Sequence, residues 1–252
     1  MKDPFSLDGQ VALVTGSVRG IGAAMACALA AAGADVIVHG RDISRSSTPA
    51  DVRSLGRRSV AIAADLSERA AQDGLVRQAL AAFGRLDILV NNAGSIQRTP
   101  AADHSDADWD ALLELNLSSV FRLSRLAGRH FLEQGSGKIV NVASLLSFQG
   151  GVRVPAYAAS KGGVAILTKA LANEWAGRGV NVNAIAPGYI ATDNTTALRA
   201  DTERSRQILE RIPANRWGEA ADLGGACVFL CSRAASYVHG HVLCVDGGWM
   251  GR

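Results

Sequence analysis

The stretch Val11-Ala12-Leu13-Val14-Thr15-Gly16-Ser17-Val18-Arg19-Gly20-Ile21-Gly22 decides the fold. It begins as a short apolar run, which is typical of a buried parallel strand, and its glycine-rich part leads directly into a helical pattern. Gly16 permits a tight turn, Gly20 allows backbone to approach a pyrophosphate, and Gly22 lets the helix pack on the sheet. The spacing G-x-x-x-G-x-G differs from the usual G-x-G-x-x-G. The stretch therefore predicts a strand, a phosphate-binding turn and a helix.

The alternation of short apolar runs with longer helical patterns continues along the chain. The pattern predicts strands at Val11–Thr15, Asp35–His39, Ser59–Ala63, Leu86–Asn91, Lys138–Ala143, Asn181–Ala186 and His241–Val245. It predicts helices at Gly20–Ala32, Glu68–Phe83, Asp106–Glu133, Tyr157–Gly177 and Glu219–Ser232, with a short one at Thr48–Leu55. Such repetition favours right-handed crossovers. We therefore expect residues 1–252 to form a single α/β domain of the doubly wound, Rossmann type, with about seven parallel strands and helices on both faces.

One segment interrupts this alternation. Residues 189–216 are polar, rich in Thr, Asp and Arg, and lack a strand pattern. Ligands of doubly wound folds bind beyond the carboxyl ends of the strands. We expect this segment to be a helical flap that covers the substrate there.

Composition excludes several classes of protein. With 48% hydrophobic and 19% charged residues the chain is not disordered, and a net charge of +3 without a basic tract argues against nucleic-acid binding. No apolar run approaches the roughly 18 residues of a membrane span, and the polar start Met1–Gln10 does not resemble an export signal. The four cysteines and five histidines have no metal-ligand spacing. We expect a cytoplasmic protein with reduced cysteines, no membrane or nucleic-acid partner and no metal.

Five separated motifs, in the correct order, resemble those of the short-chain dehydrogenase/reductase family. They are the loop Thr15–Gly22, Asp65 after the third strand, Asn91-Asn92-Ala93-Gly94, the set Asn116, Ser144, Tyr157 and Lys161, and Pro187-Gly188 followed by Thr192. The resemblance covers nearly the whole chain. It implies an NAD(P)-dependent enzyme that interconverts a CH–OH group and a carbonyl.

The resemblance also implies which residues contact the cofactor. They are Gly16, Ser17, Arg19, Gly20, Ile21, Gly22, Arg41, Asp65, Leu66, Asn92, Ala93, Gly94, Tyr157, Lys161, Pro187, Gly188, Ile190 and Thr192.

The proton chemistry follows from four side chains. Tyr157 and Lys161 are four residues apart, so they share one helix face. Lowering a tyrosine pKa from about 10 toward 7 takes roughly 4 kcal/mol, which a neighbouring ammonium and a cationic nicotinamide ring can supply. Tyr157 would then be the general acid/base, and Ser144 would hydrogen-bond the same substrate oxygen. Asn116, within a predicted helix, is expected to bind water through a local helix distortion and to relay protons to Lys161.

The end of the second strand bears on the choice of nicotinamide. An acid there binds the adenosine ribose of NAD, whereas an Arg pairs with the 2′-phosphate of NADP. Gly40 stands at the usual place of the acid, Arg41 follows, and Arg19 is a second nearby cation. These residues favour NADP. NAD stays open as the alternative, since Asp42 could turn inward.

Three longer stretches bear on the substrate. Residues 147–155, 186–195 and 211–218 resemble the sugar-acid branch of the family, which includes gluconate and deoxy-gluconate dehydrogenases. A small anionic sugar acid calls for Arg and short polar groups. Candidate contacts are Arg98, Gln149, Arg153 and Asn194. The stretch Val245-Asp246-Gly247-Gly248-Trp249 resembles a subunit-interface segment and implies a homotetramer.

Two other functions compete with this interpretation. A 3-oxoacyl thioester (acyl carrier protein) reductase would use the same four catalytic residues. A non-catalytic dinucleotide-binding sensor would not need them, and their presence argues against it.

Overall fold

A computed structural model describes residues 3–252, and its centre is one parallel sheet of seven strands in the order β3-β2-β1-β4-β5-β6-β7. The strands are β1 Val11–Val14, β2 Asp35–Gly40, β3 Ser59–Ala63, β4 Ile88–Asn91, β5 Gly137–Val142, β6 Val180–Pro187 and β7 Val242–Val245. Every predicted strand is present, and no end moves by more than two residues. The predicted doubly wound, Rossmann-type fold is confirmed.

The order of the strands fixes where a ligand can bind. Strand β1 pairs with β2 on one side, through Val11 opposite Asp35, and with β4 on the other, through Ala12 opposite Ile88. Strands β2 and β3 are therefore added on one side of β1, and strands β4 to β7 are added on the other side. The crevice at this reversal lies at the carboxyl ends of β1 and β4, where open α/β sheets bind their ligands.

Helices flank the sheet. They are α1 Gly20–Ala31, α2 Thr48–Ser54, α3 Arg69–Phe83, α4 Asp106–Leu113, α5 Ser119–Gln134, α6 Pro155–Trp175, α7 Thr196–Ala200, α8 Thr202–Arg211 and α9 Gly224–Cys231. One apolar core joins α1 and α9 to the sheet, and a second core includes buried residues of α3, α5 and α6. Within residues 3–252 no helix is both long and apolar enough to traverse a bilayer.

Two predicted helices differ in detail. The helix predicted at Asp106–Glu133 is interrupted by a π-helical segment, Glu114–Ser118, in which the Ser119 N–H bonds to the Glu114 carbonyl. The helix predicted at Glu219–Ser232 begins instead with a 3₁₀ turn over Ala220–Leu223. The carboxylate of Asp222 accepts a 2.7 Å hydrogen bond from the Glu219 N–H, so this turn closes before the α-helix starts.

The segment predicted as a flap contains a 3₁₀ turn, Asp193–Thr195, followed by α7 and α8. Ile208 and Ile212 on this segment are buried against Leu145 and Trp249. The segment therefore packs on the loop that follows β5 and on the end of the chain.

Candidate active site

The phosphate loop is fixed by the loop that follows β4. The Asn92 side-chain amide donates to the carbonyls of Thr15 and Gly16, at 2.9 and 3.0 Å. In return the Thr15 hydroxyl accepts from the backbone N–H groups of Asn92 and Ala93, at 3.0 Å each. Gly16 has a φ of +62° and lies so close that a Cβ there would be 2.9 Å from the Ala93 Cα. Only glycine suits this position, as the sequence predicts.

The start of α1 is open toward the crevice. Its N-cap residue, Arg19, makes no side-chain capping bond, and the first turn holds no acid. Beside it, a Cβ on Gly20 would meet only the Thr192 methyl group, at 3.9 Å. An uncapped helix N-terminus offers N–H groups and positive potential to an anion. These residues therefore fit the pyrophosphate of a dinucleotide.

Two predicted cofactor residues have side chains that are buried in the protein. Ser17 is fully buried, and its hydroxyl donates to the Val14 carbonyl at 2.6 Å and accepts from the His39 N–H at 3.0 Å. Leu66 is buried in the core, and its carbonyl accepts from the Gln72 side chain at 2.7 Å. Ser17 shapes the loop and Leu66 fills the core, so neither side chain faces the crevice.

His39 is a site residue that sequence analysis missed. Its Nδ1 accepts from the Gly16 N–H and its Nε2 donates to the Ala64 carbonyl, both at 3.1 Å. These partners require the neutral ring, and burial lowers the pKa of His39 to about 4. The imidazole thereby joins the phosphate loop to the end of β3. No motif marks this role, because a histidine inside a strand has the same pattern whatever it binds.

Charged side chains surround the end of β2. Arg41 is exposed. The pKa of Asp65 is lowered mainly by hydrogen bonds from Ser67, and the positive charge of Arg41 lowers it further. The Asp42 carboxylate accepts from the Ser44 N–H and hydroxyl, at 2.9 and 2.6 Å. Asp42 is thus held within its own loop, and the inward turn that would favour NAD is not observed.

Lys161 lies at the centre of the predicted catalytic group. Its side chain is buried, and its Nζ donates to the Val142 carbonyl at 2.7 Å. The same Nζ is 5.7 Å from the centre of the Tyr157 ring, as the shared helix face predicts. Burial lowers the pKa of Lys161 to about 8. The lysine therefore loses its proton near pH 8, well below the pH at which an exposed lysine does.

Tyr157 differs from expectation in its electrostatics. Burial, the largest influence, raises the pKa of its phenol, whereas hydrogen bonding to Ser144 and the charge of Arg98 lower it. Arg98 is the cation whose charge lowers this pKa, whereas the predicted cation, Lys161, lies 5.7 Å from the centre of the ring. The Ser144 oxygen accepts from the Leu146 N–H at 3.2 Å. Its own O–H is then available to donate toward the phenol or a substrate oxygen.

Asn116 lies inside the π-helical segment, so the predicted helix distortion is present. Its amide oxygen accepts from the Ser95 N–H at 3.0 Å, and its NH₂ donates to the Ser95 carbonyl at 2.9 Å and to Ser160 at 3.3 Å. The side chain is thus committed to holding the loop after Gly94. The predicted relay of protons to Lys161 through water bound at Asn116 stays a prediction.

The predicted substrate residues lie on three loops. Arg98 donates to the Asn194 carbonyl at 3.3 Å, which brings those two together. Arg153 has a φ of +63°, a strained conformation for a residue with a side chain, and its carbonyl accepts from the Thr99 N–H at 2.9 Å. Gln149 accepts a 3.5 Å bond from the Trp249 indole. Trp249, which the sequence places in a predicted interface segment, therefore lies next to a predicted substrate contact.

Further predicted cofactor residues lie at the end of β6 and just after it. Pro187 ends β6, and a Cβ on Gly188 would lie 2.6 Å from the Asp246 Cα. Ile190 is buried and forms a backbone bridge with Gly218, so it anchors the base of the segment that carries Thr192. Within residues 3–252 no three His, Cys, Asp or Glu side chains are grouped to hold a metal ion.

Comparison with known proteins gives the site its context. A family model described as enoyl-(acyl carrier protein) reductase matches residues 16–250. The 2-dehydro-3-deoxy-D-gluconate 5-dehydrogenase of Pseudoalteromonas atlantica is 55% identical, with 100% of both chains covered. A structure from Agrobacterium tumefaciens, described as a candidate 2-deoxy-D-gluconate 3-dehydrogenase with bound NADP, is 51% identical over 100% of both chains, with a TM-score of 0.93. A candidate gluconate 5-dehydrogenase from Beutenbergia cavernae, with NADP at low occupancy, is 51% identical over 99% and 100% of the chains, with a TM-score of 0.96.

Proposed function

The chain belongs to the short-chain dehydrogenase/reductase family, and on that premise we propose that it interconverts a secondary alcohol and a ketone on a small sugar acid of the gluconate or deoxy-gluconate type. NADP is the favoured cofactor and NAD the alternative. The observation that carries this proposal is the placement of Tyr157 beside Lys161 and Ser144, next to the open phosphate-binding start of α1.

Each element of the site has a role in this reaction. Bound NADP would supply the redox step, because it carries the hydride. The N-terminus of α1 and Gly20 hold the pyrophosphate, and Arg19 and Arg41 provide positive charge at the adenosine end. Ser144 donates a hydrogen bond to the reacting oxygen, and Tyr157 gives or takes its proton. Because burial raises the pKa of Tyr157, the charges of Lys161 and Arg98 must offset that burial for the phenol to act near neutral pH.

Two arginines support an anionic substrate. The charge of Arg98 reaches Tyr157, and Arg153 is held in a strained conformation on the loop just before α6. Guanidinium groups of this kind recognise carboxylates. A 3-oxoacyl thioester reductase would need the same proton chemistry, but the relative that matches the full chain at 55% identity is named a 2-dehydro-3-deoxy-D-gluconate 5-dehydrogenase. A sensor without turnover would have no use for the grouping of Ser144, Tyr157 and Lys161.

The test is a comparison of substrates. Oxidation of NADPH and of NADH is followed with a panel of keto-sugar acids and with an acetoacetyl thioester. We expect turnover with at least one sugar acid and faster turnover with NADPH. The variant Arg153→Ala should raise the Michaelis constant for that acid by at least about tenfold, since a charge-assisted contact is worth roughly 1.5–3 kcal/mol, and should leave cofactor affinity unchanged. A preference for the thioester would overturn the proposed substrate, and an unchanged Michaelis constant would remove Arg153 from the site.

We further propose that the enzyme is a cytoplasmic homotetramer. All four cysteines are free, which suits a compartment where thiols stay reduced. Apolar side chains are left exposed on α5 and α6, with Phe121 at 41% and Ile166 at 63% exposure. Burial of such side chains stabilises association between subunits.

A further inference from the structure

We propose that Val18 determines cofactor choice together with Gly40, because the Val18 side chain fills the space that an acid at position 40 would need. The inference rests on the proposed use of NADP, which it deepens. It makes Val18 a specificity-determining residue, although Val18 belongs to no predicted contact.

The two residues meet where the phosphate loop crosses the end of β2. A Cβ on Gly40 would lie 2.6 Å from one methyl group of Val18 and 3.1 Å from the other, closer than side chains pack. Gly40 does not have the left-handed backbone conformation that favours glycine, so its own backbone would accept another residue. The obstacle to a side chain at position 40 is therefore Val18.

Val18 cannot easily turn aside. Its branched side chain has few rotamers, and it packs against the core that joins α1 to the sheet. Its carbonyl accepts a 3.2 Å hydrogen bond from Ser46, which ties the phosphate loop to the start of α2. A side chain introduced at Gly40 would have to displace this packing.

Val18 blocks a side chain at the position that faces the adenosine ribose, where NAD has a 2′-hydroxyl and NADP a 2′-phosphate. About twenty residues after the glycine-rich turn, dinucleotide-binding folds place an acid on the ribose 2′-hydroxyl of NAD, or an Arg nearby for the 2′-phosphate of NADP. Gly40 stands twenty residues after Gly20. With that position closed to an acid, and with Asp42 held by Ser44, the neighbouring cation Arg41 dominates.

A double-variant experiment tests the inference. Gly40→Asp, Val18→Ala and the double variant are compared with the wild type by titration with NADPH and NADH, using the fluorescence of the reduced nicotinamide. In Val18→Ala the remaining Cβ lies 3.4 Å from the Cβ position of residue 40, an ordinary contact. We expect Gly40→Asp to bind both cofactors at least tenfold more weakly, and Val18→Ala to keep the preference for NADPH. The double variant should bind NADH about tenfold more tightly than Gly40→Asp does, and should prefer it to NADPH.

A second pair of variants separates the packing from the charge. Gly40→Ala adds only the Cβ, so it should lower the melting temperature in the wild-type background and leave it unchanged in the Val18→Ala background. The inference fails if Gly40→Asp alone binds NADH as well as the double variant does, or if the double variant folds normally and still prefers NADPH. It also fails if Gly40→Ala melts at the wild-type temperature. These readouts need no sugar acid, so failure of the proposed substrate would leave them interpretable.

Discussion

Lys161 is needed for the proposed chemistry, but burial of its charge destabilises the folded state. The residue is 5% exposed, and its ammonium donates a hydrogen bond to the Val142 carbonyl. Folding lowers its pKa from 10.5 to about 8. The unfolded chain therefore binds the proton more tightly between these values, and below pH 8 the folded state carries the full penalty, roughly 3 kcal/mol at 1.36 kcal/mol per pKa unit.

We predict that Lys161→Met stabilises the cofactor-free protein at pH 7. The gain should be about 2 kcal/mol, since the variant also loses the hydrogen bond to Val142, worth about 1 kcal/mol. As the pH rises from 8 through 10.5 the wild type loses the penalty, so the advantage of the variant should disappear and leave it less stable by the lost hydrogen bond, about 1 kcal/mol. Denaturant unfolding at a series of pH values measures it. The control is Lys169→Met, an exposed lysine on the same helix, for which we expect no comparable change. A Lys161→Met protein less stable than wild type at pH 7 would contradict the prediction.

Residue spacing predicted some of this site and missed the rest for a physical reason. The interval between Tyr157 and Lys161 places them on one helix face wherever that helix lies, so their proximity could be predicted. The inward turn of Ser17 and the double hydrogen bond of Asn116 to Ser95 depend on partners distant along the chain. Local sequence carries no signal for such partners.

At the scale of elements, the π-helical segment Glu114–Ser118 sets the position of Asn116. One extra residue in the turn is accommodated by bonds from residue i to i+5, as in the bond between Ser119 and Glu114. Removal of one residue would restore a regular helix and rotate everything before it, including Asn116, by about 100° relative to α5.

We predict that deletion of Ser118 reduces turnover by about a hundredfold, because Asn116 would release Ser95 and the loop after Gly94 would shift by about 1 Å or more. Steady-state kinetics with the accepted sugar acid measures the loss, and far-ultraviolet circular dichroism checks that the helices persist. The matched control is Ser118→Ala, which keeps the chain length and should retain most of the activity. Wild-type turnover in the deletion variant would show that the π turn has no role in the site.

The ends of the strands were predictable because each buried strand coincides with a continuous run of apolar side chains. Strands buried on both faces are continuous apolar runs, and all seven lie where the pattern places them. Interruptions inside helices were not predictable from periodicity, because a π turn or a 3₁₀ start keeps nearly the same spacing of apolar residues. Only the likeness of Asn116 to a known catalytic position indicated the first of these distortions.

For the whole molecule, the proposed tetramer has a direct test. Light scattering after size-exclusion chromatography should give a mass four times that of one chain at micromolar concentration. The variant Ile166→Glu, which places a charge at an exposed apolar position of α6, should reduce that mass. The control is Lys169→Glu, at an exposed position of the same helix that is already polar. A wild-type mass of one chain would contradict the proposal.

The overall architecture was predictable because strand–helix repetition leaves few ways to build a sheet. The contacts of the segment 189–216 were not, since they are made by side chains that lie far apart in sequence. Arg98 reaches Asn194, and Ile212 packs near Trp249. These contacts join the segment to the body of the protein.

Ionic strength acts unequally on the two arginines that hold this segment. Arg19 pairs with Asp193 at 3.4 Å between side chains that are 78% and 74% exposed, so dissolved ions screen the attraction readily. Arg98 instead bonds to a backbone carbonyl, a short-range contact with a dipole that salt screens less. Rising salt therefore loosens the segment first on the side of the phosphate loop. A phosphate group that pairs with Arg19 would loosen the same side, so Asp193 and the cofactor would compete for one guanidinium.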